Sequence, residues 1–232
     1  MISKEIKILT EHCDASRRLR LSSLFRFFQE ISIEDTERLG FPRSTTLDRG
    51  LLWVIGKQRL EIKRMPEYDE TVEVLSYPGK KIPFLFPRYC KVVSRDGEAI
   101  VSSSAIWTLI DEKSRSMIDP EKHGIVIDGK EEGDEIGPQF PMKTFPLQNK
   151  AVFAAKWSDC DLNGHMNNTA YFDEALNLIP PSFLKSHQPS AVDVAYKKEI
   201  PLGSEVAVSY GEEKGVYVFS SDSFFIRIAF SD

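Results

Sequence analysis

A chain of 232 residues with 41% hydrophobic content can bury a substantial core, either as one large domain or as two small ones. Its net charge of −5 argues against nonspecific nucleic-acid binding. No apolar run approaches the roughly 18 residues that span a bilayer, and the start, MISKEIKILTEHCD, has no apolar stretch of signal-peptide length, so the chain reads as cytoplasmic.

The first predicted element is a helix over 22–40, where Leu24, Phe27, Phe28 and Ile31 follow the i, i+3, i+4, i+7 spacing and Ser22-Ser23 read as caps. Strand-like segments rich in β-branched and aromatic residues follow at 52–63, 71–77, 88–94 and 100–111. Glu121 to Asn149 is Gly-, Pro- and acid-rich, with 129–135 a solvated run lacking any apolar period. It reads as a linker or a surface crossover. A second helix is predicted from Thr169 to Ile179, with Tyr171, Ala175, Leu178 and Ile179 on one face and Pro180-Pro181 ending it. Strands are then expected at 192–198, 205–210, 215–220 and 224–230.

A helix followed by an antiparallel sheet therefore occurs twice. Met65 to Val74 is echoed by Ile200 to Val208 with one residue fewer, each a turn leading into an alternating strand. The pattern alone supports an α+β class. The organisation expected is 1–120 as one unit, 121–148 as the connection and 149–232 as the second unit.

The segment from Trp157 to Asn168 carries the chemistry. It places Asp161, Asn163 and His165 at alternating positions just ahead of a helix N-terminus, where free backbone N–H groups can bind developing negative charge. The plainer reading makes Asp, Asn and Gly turn formers, Asn167 or Asn168 an N-cap, and His165 incidental. Composition does not decide between them.

The segment resembles the D-x-N-x-H-x-N-N box of the acyl-acyl-carrier-protein thioesterases. Four further stretches resemble that family in order and spacing: LFRFFQEISIEDTERLG (24–40), WVIGKQRLEIKRMPEYDETVEV (53–74), AIWTLIDEKSRSMIDP (105–120) and VAYKKEIPLGS (194–204). The resemblance implies a tandem hotdog, two antiparallel sheets each wrapping a long helix. Eighteen helical residues would extend about 27 Å, enough to lie across a five- or six-stranded sheet.

The implied activity is hydrolysis of a fatty acyl thioester on acyl carrier protein by an activated water. Family resemblance carries the acting roles onto Asp161, Asn163, His165 and Glu199, with Glu199 or the Asp161–Glu199 pair as base. Asn163 and His165 would position water and thioester, and backbone N–H groups near Asn167 and Asn168 would polarise the carbonyl. No metal and no organic cofactor are expected. Some family members carry a cysteine after that glutamate; position 200 here is Ile. Cys160 occupies a variable position of the box and, by alternation, should face away from Asp161, Asn163 and His165.

His12-Cys13-Asp14 stands at the place in the first half that corresponds to the box, without the Asn-x-His sequence, so one active site is expected. Cys13, Cys90 and Cys160 are odd in number and lack a Cys-x-x-Cys pair, which predicts reduced thiols. His123 and His187 read as surface residues, and Phe25, Phe27, Phe28, Trp53 and Trp107 as core that an acyl chain could share. An acidic carrier needs a local basic rim, for which the candidates are Arg17-Arg18-Arg20, Lys57-Arg59, Lys63-Arg64, Lys80-Lys81 and, beside Glu199, Lys197 and Lys198. Coenzyme A thioesters and a noncatalytic acyl-binding role are the alternatives. The oligomeric expectation is a monomer or homodimer, without membrane insertion.

Overall fold

The structure, a computed structural model, describes residues 1–127, 129 and 145–231. The first half runs β1 (Ile2–Lys7), α1 (Leu21–Arg38), β2 (Leu51–Ile62), β3 (Thr71–Pro78), β4 (Phe86–Val93) and β5 (Ala99–Asp111). The second runs β6 (Asn149–Ala154), α2 (Ala170–Leu176), α3 (Pro181–Ser186), β7 (Gln188–Tyr196), β8 (Glu205–Glu213), β9 (Val216–Ser220) and β10 (Phe224–Ser231). The solvated run expected at 129–135 lies, apart from Gly129, outside the described residues.

Every neighbouring pair of strands is antiparallel, in the order β1-β3-β4-β5-β2-β7-β10-β9-β8-β6. Read inward from either edge the order is the same: first, third, fourth, fifth and second strand of each half. The two sheets expected from the sequence are thus one continuous ten-stranded sheet, joined where Lys57–Glu61 of β2 pairs with Ala191–Ala195 of β7. Pairing these strands gives both central edges backbone partners and removes two exposed edges.

Helix α1 buries Leu21, Leu24, Phe25, Phe28 and Ile31 along one stripe, as its spacing requires. It begins at Leu21, so Ser22 lies within it, and Ser22 Oγ donates instead to Asp173 Oδ1 (2.7 Å), tying α1 to α2. Phe25 stacks on Phe172 at 3.9 Å, and one core cluster runs through both halves. Burying a Phe of this kind stabilises by about 1.5–3 kcal/mol.

The second helix is shorter than its apolar pattern suggests. It ends at Leu176; the Ile179 N–H bonds the Leu176 carbonyl (3.0 Å) in a tight turn, and α3 starts afresh with proline at its first turn. The proline ring disfavours helical backbone at the residue before it, which forces the break.

The duplication extends to single hydrogen bonds. Each half opens with a strand, a short 3₁₀ turn (Thr10–His12, Trp157–Asp159) and a bridge (Cys13 with Leu19, Cys160 with Met166). The Tyr68 N–H donates to the Arg17 carbonyl and the Leu202 N–H to that of Gly164; Asp69 and Gly203 reach Ile8 and Ala155 in the same way. These pairings equate Pro66–Glu70 with Ile200–Ser204 without a gap. The shared proline at 66 and 201 suggested a register one residue off; backbone pairing to the preceding turn places Met65 opposite Glu199.

Candidate active site

The box is a tight turn built by its own backbone. The Asp161 N–H donates to the His165 carbonyl (2.8 Å) and the Gly164 N–H returns to the Asp161 carbonyl (3.0 Å). Gly164 sits at φ 78°, a left-handed conformation that glycine adopts without steric penalty. Asp161 Oδ1 accepts the Asn163 N–H (2.8 Å), which fixes the carboxylate to the turn. Asn163 itself is exposed at the tip, and no bond among the described residues joins its side chain to His165 or Glu199.

His165 pairs as a β-bridge with Pro201, and this brings the following segment against the box. The result places His165 Nε2 3.7 Å from Glu199 Oε2. Tyr171, 3% exposed, lies beneath. Burial first, then the charges of Glu199 and Asp161, push its hydroxyl well above the ordinary phenol value, so it stays protonated beside two carboxylates.

The two asparagines divide. The Asn167 N–H is taken by the Asp159 carbonyl (2.7 Å), and its side-chain oxygen accepts the Thr169 N–H (2.9 Å) and hydroxyl (2.8 Å). Asn167 is thereby tied into the turn ahead of α2 and has no backbone N–H to offer a substrate. The Asn168 N–H has no acceptor among the described residues.

Lys197 Nζ donates to the Ser221 carbonyl (2.9 Å), holding that side chain against the β9–β10 hairpin; Lys198 is exposed. Cys160 has its thiol pushed up, first by desolvation and then by Asp159 and Asp161, so it remains a thiol rather than a nucleophilic thiolate. Among the described residues no three His, Cys, Asp or Glu side chains cluster as a metal site.

One residue without a role in the sequence reading enters the site. Arg115, from the turn after β5 in the first half, places its guanidinium 2.8 Å from Glu199 Oε2. Only a contact across the halves reveals it.

Two cavities border the box. The smaller, about 10 Å³ and on the order of one water, lies between Asn168, Gln29, Gln58 and Arg88. The larger, about 290 Å³, is walled by Ile33, Trp53, Phe86, Trp107 and Ile127, with Leu162 of the box at its border. Ser32, Arg88 and Trp107 line both. Arg88, 6% exposed, is held by Asp35 (2.7 Å), Ser76 (3.0 Å) and Thr36 (3.0 Å).

The equivalent turn in the first half carries none of this chemistry. Arg18 stands in the place of His165 and donates to the Leu184 and His187 carbonyls (2.8 and 3.0 Å). Ser16 stands for Asn163, and buried Met65 for Glu199. Only Asp14 repeats Asp161, accepting the Ser16 N–H (2.7 Å).

Paired halves of this topology, each a sheet curled about a helix, define a tandem hotdog protein. Residues 1–123 match the family described as Acyl-ACP thioesterase N-terminal domain, and residues 145–222 match Acyl-ACP thioesterase C-terminal domain. The chain belongs to the acyl-ACP thioesterase family. Similar curated proteins include the chloroplastic palmitoyl-acyl carrier protein thioesterase of Cuphea hookeriana, 25% identical with 80% of this chain and 48% of that protein covered. The dodecanoyl-[acyl-carrier-protein] hydrolase of Cinnamomum camphora is 26% identical, covering 81% of this chain and 53% of that protein. The chain spans about half the length of the curated relatives it matches. In fold it is similar to an acyl-ACP thioesterase from Bacteroides thetaiotaomicron, with a TM-score of 0.86 at 20% identity, covering 99% of this chain and 97% of that one.

Proposed function

We propose that this chain hydrolyses the thioester of fatty acyl-[acyl carrier protein], releasing a free fatty acid and ending chain elongation. The observation that carries the reading is the meeting of the His165 imidazole and the Glu199 carboxylate, 3.7 Å apart, beside the turn that holds Asp161 and leads to the Asn168 N–H, which has no acceptor among the described residues. Binding an apolar chain would require none of these groups. Family membership supports the same reaction.

In this mechanism Glu199, alone or with Asp161, takes a proton as water oxygen attacks the thioester carbon. His165 and Asn163 hold the water and the thioester. Charge forming on the carbonyl oxygen meets the Asn168 N–H. The C–S bond then breaks, the proton passes to sulfur, and the products are a carboxylic acid and the carrier thiol.

The larger cavity, apolar and bordered by Leu162, suits the acyl chain. An acidic carrier would meet exposed Lys198 beside Glu199. Several other candidate cations are already engaged: Arg18 with the α3 carbonyls, Lys63 with Glu98 and Arg64 with Glu70. The test is hydrolysis of acyl-carrier-protein and coenzyme A thioesters of C4 to C18 chains. Preference for the carrier protein supports the proposal, equal or better turnover of coenzyme A thioesters moves it to the other carrier, and no hydrolysis of either ends it.

A further inference from the structure

We propose that Arg115 is a positioning residue for the hydrolytic base, reaching from the first half into the site of the second. This rests on the reading of Glu199 as that base. Two groups of the site face one carboxylate oxygen: the Arg115 guanidinium pairs with Oε2 at 2.8 Å, and His165 Nε2 stands 3.7 Å from the same atom, beyond hydrogen-bond reach. Oε1 accepts no hydrogen bond among the described residues, and the shortest contact of each neighbouring group is to Oε2. The geometry thus makes Oε1 the atom that accepts the proton of water, and Arg115 the group that turns it there.

The turn carrying Arg115 is built to present it. Asp111 Oδ1 accepts the Ser114 N–H (2.7 Å), the Arg115 N–H returns to the Asp111 carbonyl (2.9 Å), and the Asp111 N–H bonds the Ser116 carbonyl (3.0 Å). Arg115 is held at φ 55°, a left-handed conformation unusual for a residue with a Cβ. Strand β5 roots this turn in the first-half sheet through its register with β2, in which Leu51 faces Asp111.

Stability gives this pair little reason to exist. Both side chains are about half exposed, 42% for Arg115 and 46% for Glu199, and ion pairs so placed contribute little to folding. A guanidinium fork can instead fix the orientation of a carboxylate, which a mobile glutamate in water lacks. His165, which faces Glu199, and Tyr171, which feels its charge, belong to the second half. Arg115 makes the site a joint product of both halves.

The test uses the full chain and compares Arg115→Ala, Arg115→Lys, Glu199→Gln and the Arg115→Ala/Glu199→Gln pair. Ala bears the same left-handed cost as Arg, so the turn gains no strain. Expected are a kcat about 10²-fold lower in Arg115→Ala with KM little changed, partial activity in Arg115→Lys, and recovery of Arg115→Ala by added guanidinium ion. The double variant should be no slower than Glu199→Gln alone, because both changes remove one function.

Wild-type kcat in folded Arg115→Ala overturns the proposal. So does a loss confined to KM for the carrier-linked substrate and absent with acyl-pantetheine, which would make Arg115 a carrier contact. A double variant slower than Glu199→Gln by the full Arg115→Ala factor also overturns it. Failure of the underlying reading looks different: there, Glu199→Gln itself keeps its wild-type rate.

Discussion

Chain length should be set where the first half meets the box. Of the strand segment 51–55, Trp53 faces the larger cavity; of α1, Ser32, Ile33, Thr36 and Glu37 do, whereas Leu24 and Phe27 do not. Ile33→Phe fills the wall with an aromatic ring and shortens the space by about two methylenes, and Trp53→Leu deepens it by a similar amount. At about 0.8 kcal/mol per buried CH₂, two methylenes are worth roughly 1.6 kcal/mol, a little more than tenfold in kcat/KM between neighbouring even chain lengths. Ile33→Phe should favour shorter chains and Trp53→Leu longer ones, with kcat on each variant's best substrate near that of the parent. The Trp53 indole N–H has no hydrogen-bond partner among the described residues, so its removal costs packing, including the edge-to-face contact with Phe86 at 4.9 Å, worth about 0.5–1.5 kcal/mol. Competition assays with acyl-carrier-protein thioesters of graded length read the profile. An unchanged profile in both folded variants, or a shift produced instead by resizing Tyr171 or Ala175, would place the acyl chain elsewhere.

Glu199→Gln and Asp161→Asn delete a carboxylate with little change of shape, and each should lower kcat by about 10²–10⁴-fold while Tm stays near wild type; rates near the parent in both would refute the assigned base. A Cys13→Ser/Cys90→Ala/Cys160→Ser protein should keep hydrolysing with no acyl-enzyme burst, and an acyl adduct on Cys160 found by mass spectrometry would contradict water as the nucleophile. Asp35→Ala strands the Arg88 charge in a buried site, so chemical denaturation should show a loss of about 3–5 kcal/mol, whereas an Asp35→Leu/Arg88→Met pair should recover most of it. The Arg64 fork, at 2.7 and 2.9 Å, holds the Glu70 carboxyl below its ordinary 4.5. A depressed folded value means that its contribution, about 1 kcal/mol or less at this exposure, is complete above that pH and lost as pH falls through the lowered value. Glu70→Gln should therefore lower Tm at neutral pH and flatten its fall in acid; an unchanged acid slope would count against the pair.

Central elements were legible because both of their faces are constrained. The alternation at 71–77 and 224–230 reports strands that run 71–78 and 224–231, each with neighbours on both sides. Edge strands carry a weaker signal. In β1 (ISKEIK) only Ile2 is buried and Ile6 partly so, and β6 (NKAVFA) has no buried residue at all. Neither stands out as a strand in the sequence; both exist because β3 and β8 offer an open ladder to pair with. The second helix was overrun for the opposite reason. Leu178 and Ile179 continue its apolar period and remain buried or packed against the core, but Pro180 breaks the backbone that would carry them.

Site residues divide along the same physical line. Asp161, His165 and Glu199 could be proposed because their spacing and family resemblance are local properties. Whether Asn167 or Asn168 offers the donor depends on where a single N–H points, and here the Asp159 carbonyl decides it. Arg115 depends on a contact between residues far apart in sequence and in different copies of the repeat. The duplication explains why such a contact is available. Two equivalent turns face opposite halves across the β2–β7 seam: Arg18 in one reaches the carbonyls of Leu184 and His187, while Glu199 beside the other receives Arg115. Each turn is therefore completed by the other half, once with a hydrogen-bonded plug and once with a charge on a carboxylate. The symmetric scaffold provides two such places, which differ in carrying His165 for Arg18 and Glu199 for Met65, the groups on which the proposed hydrolysis depends. Exchanging that pair alone, by His165→Arg with Glu199→Met, should abolish hydrolysis while leaving a folded ten-stranded sheet, since in the first half the same residues close the turn without loss of packing. Circular dichroism and a cooperative melt would report the fold. Collapse of the sheet would show that the two turns are not interchangeable as structure.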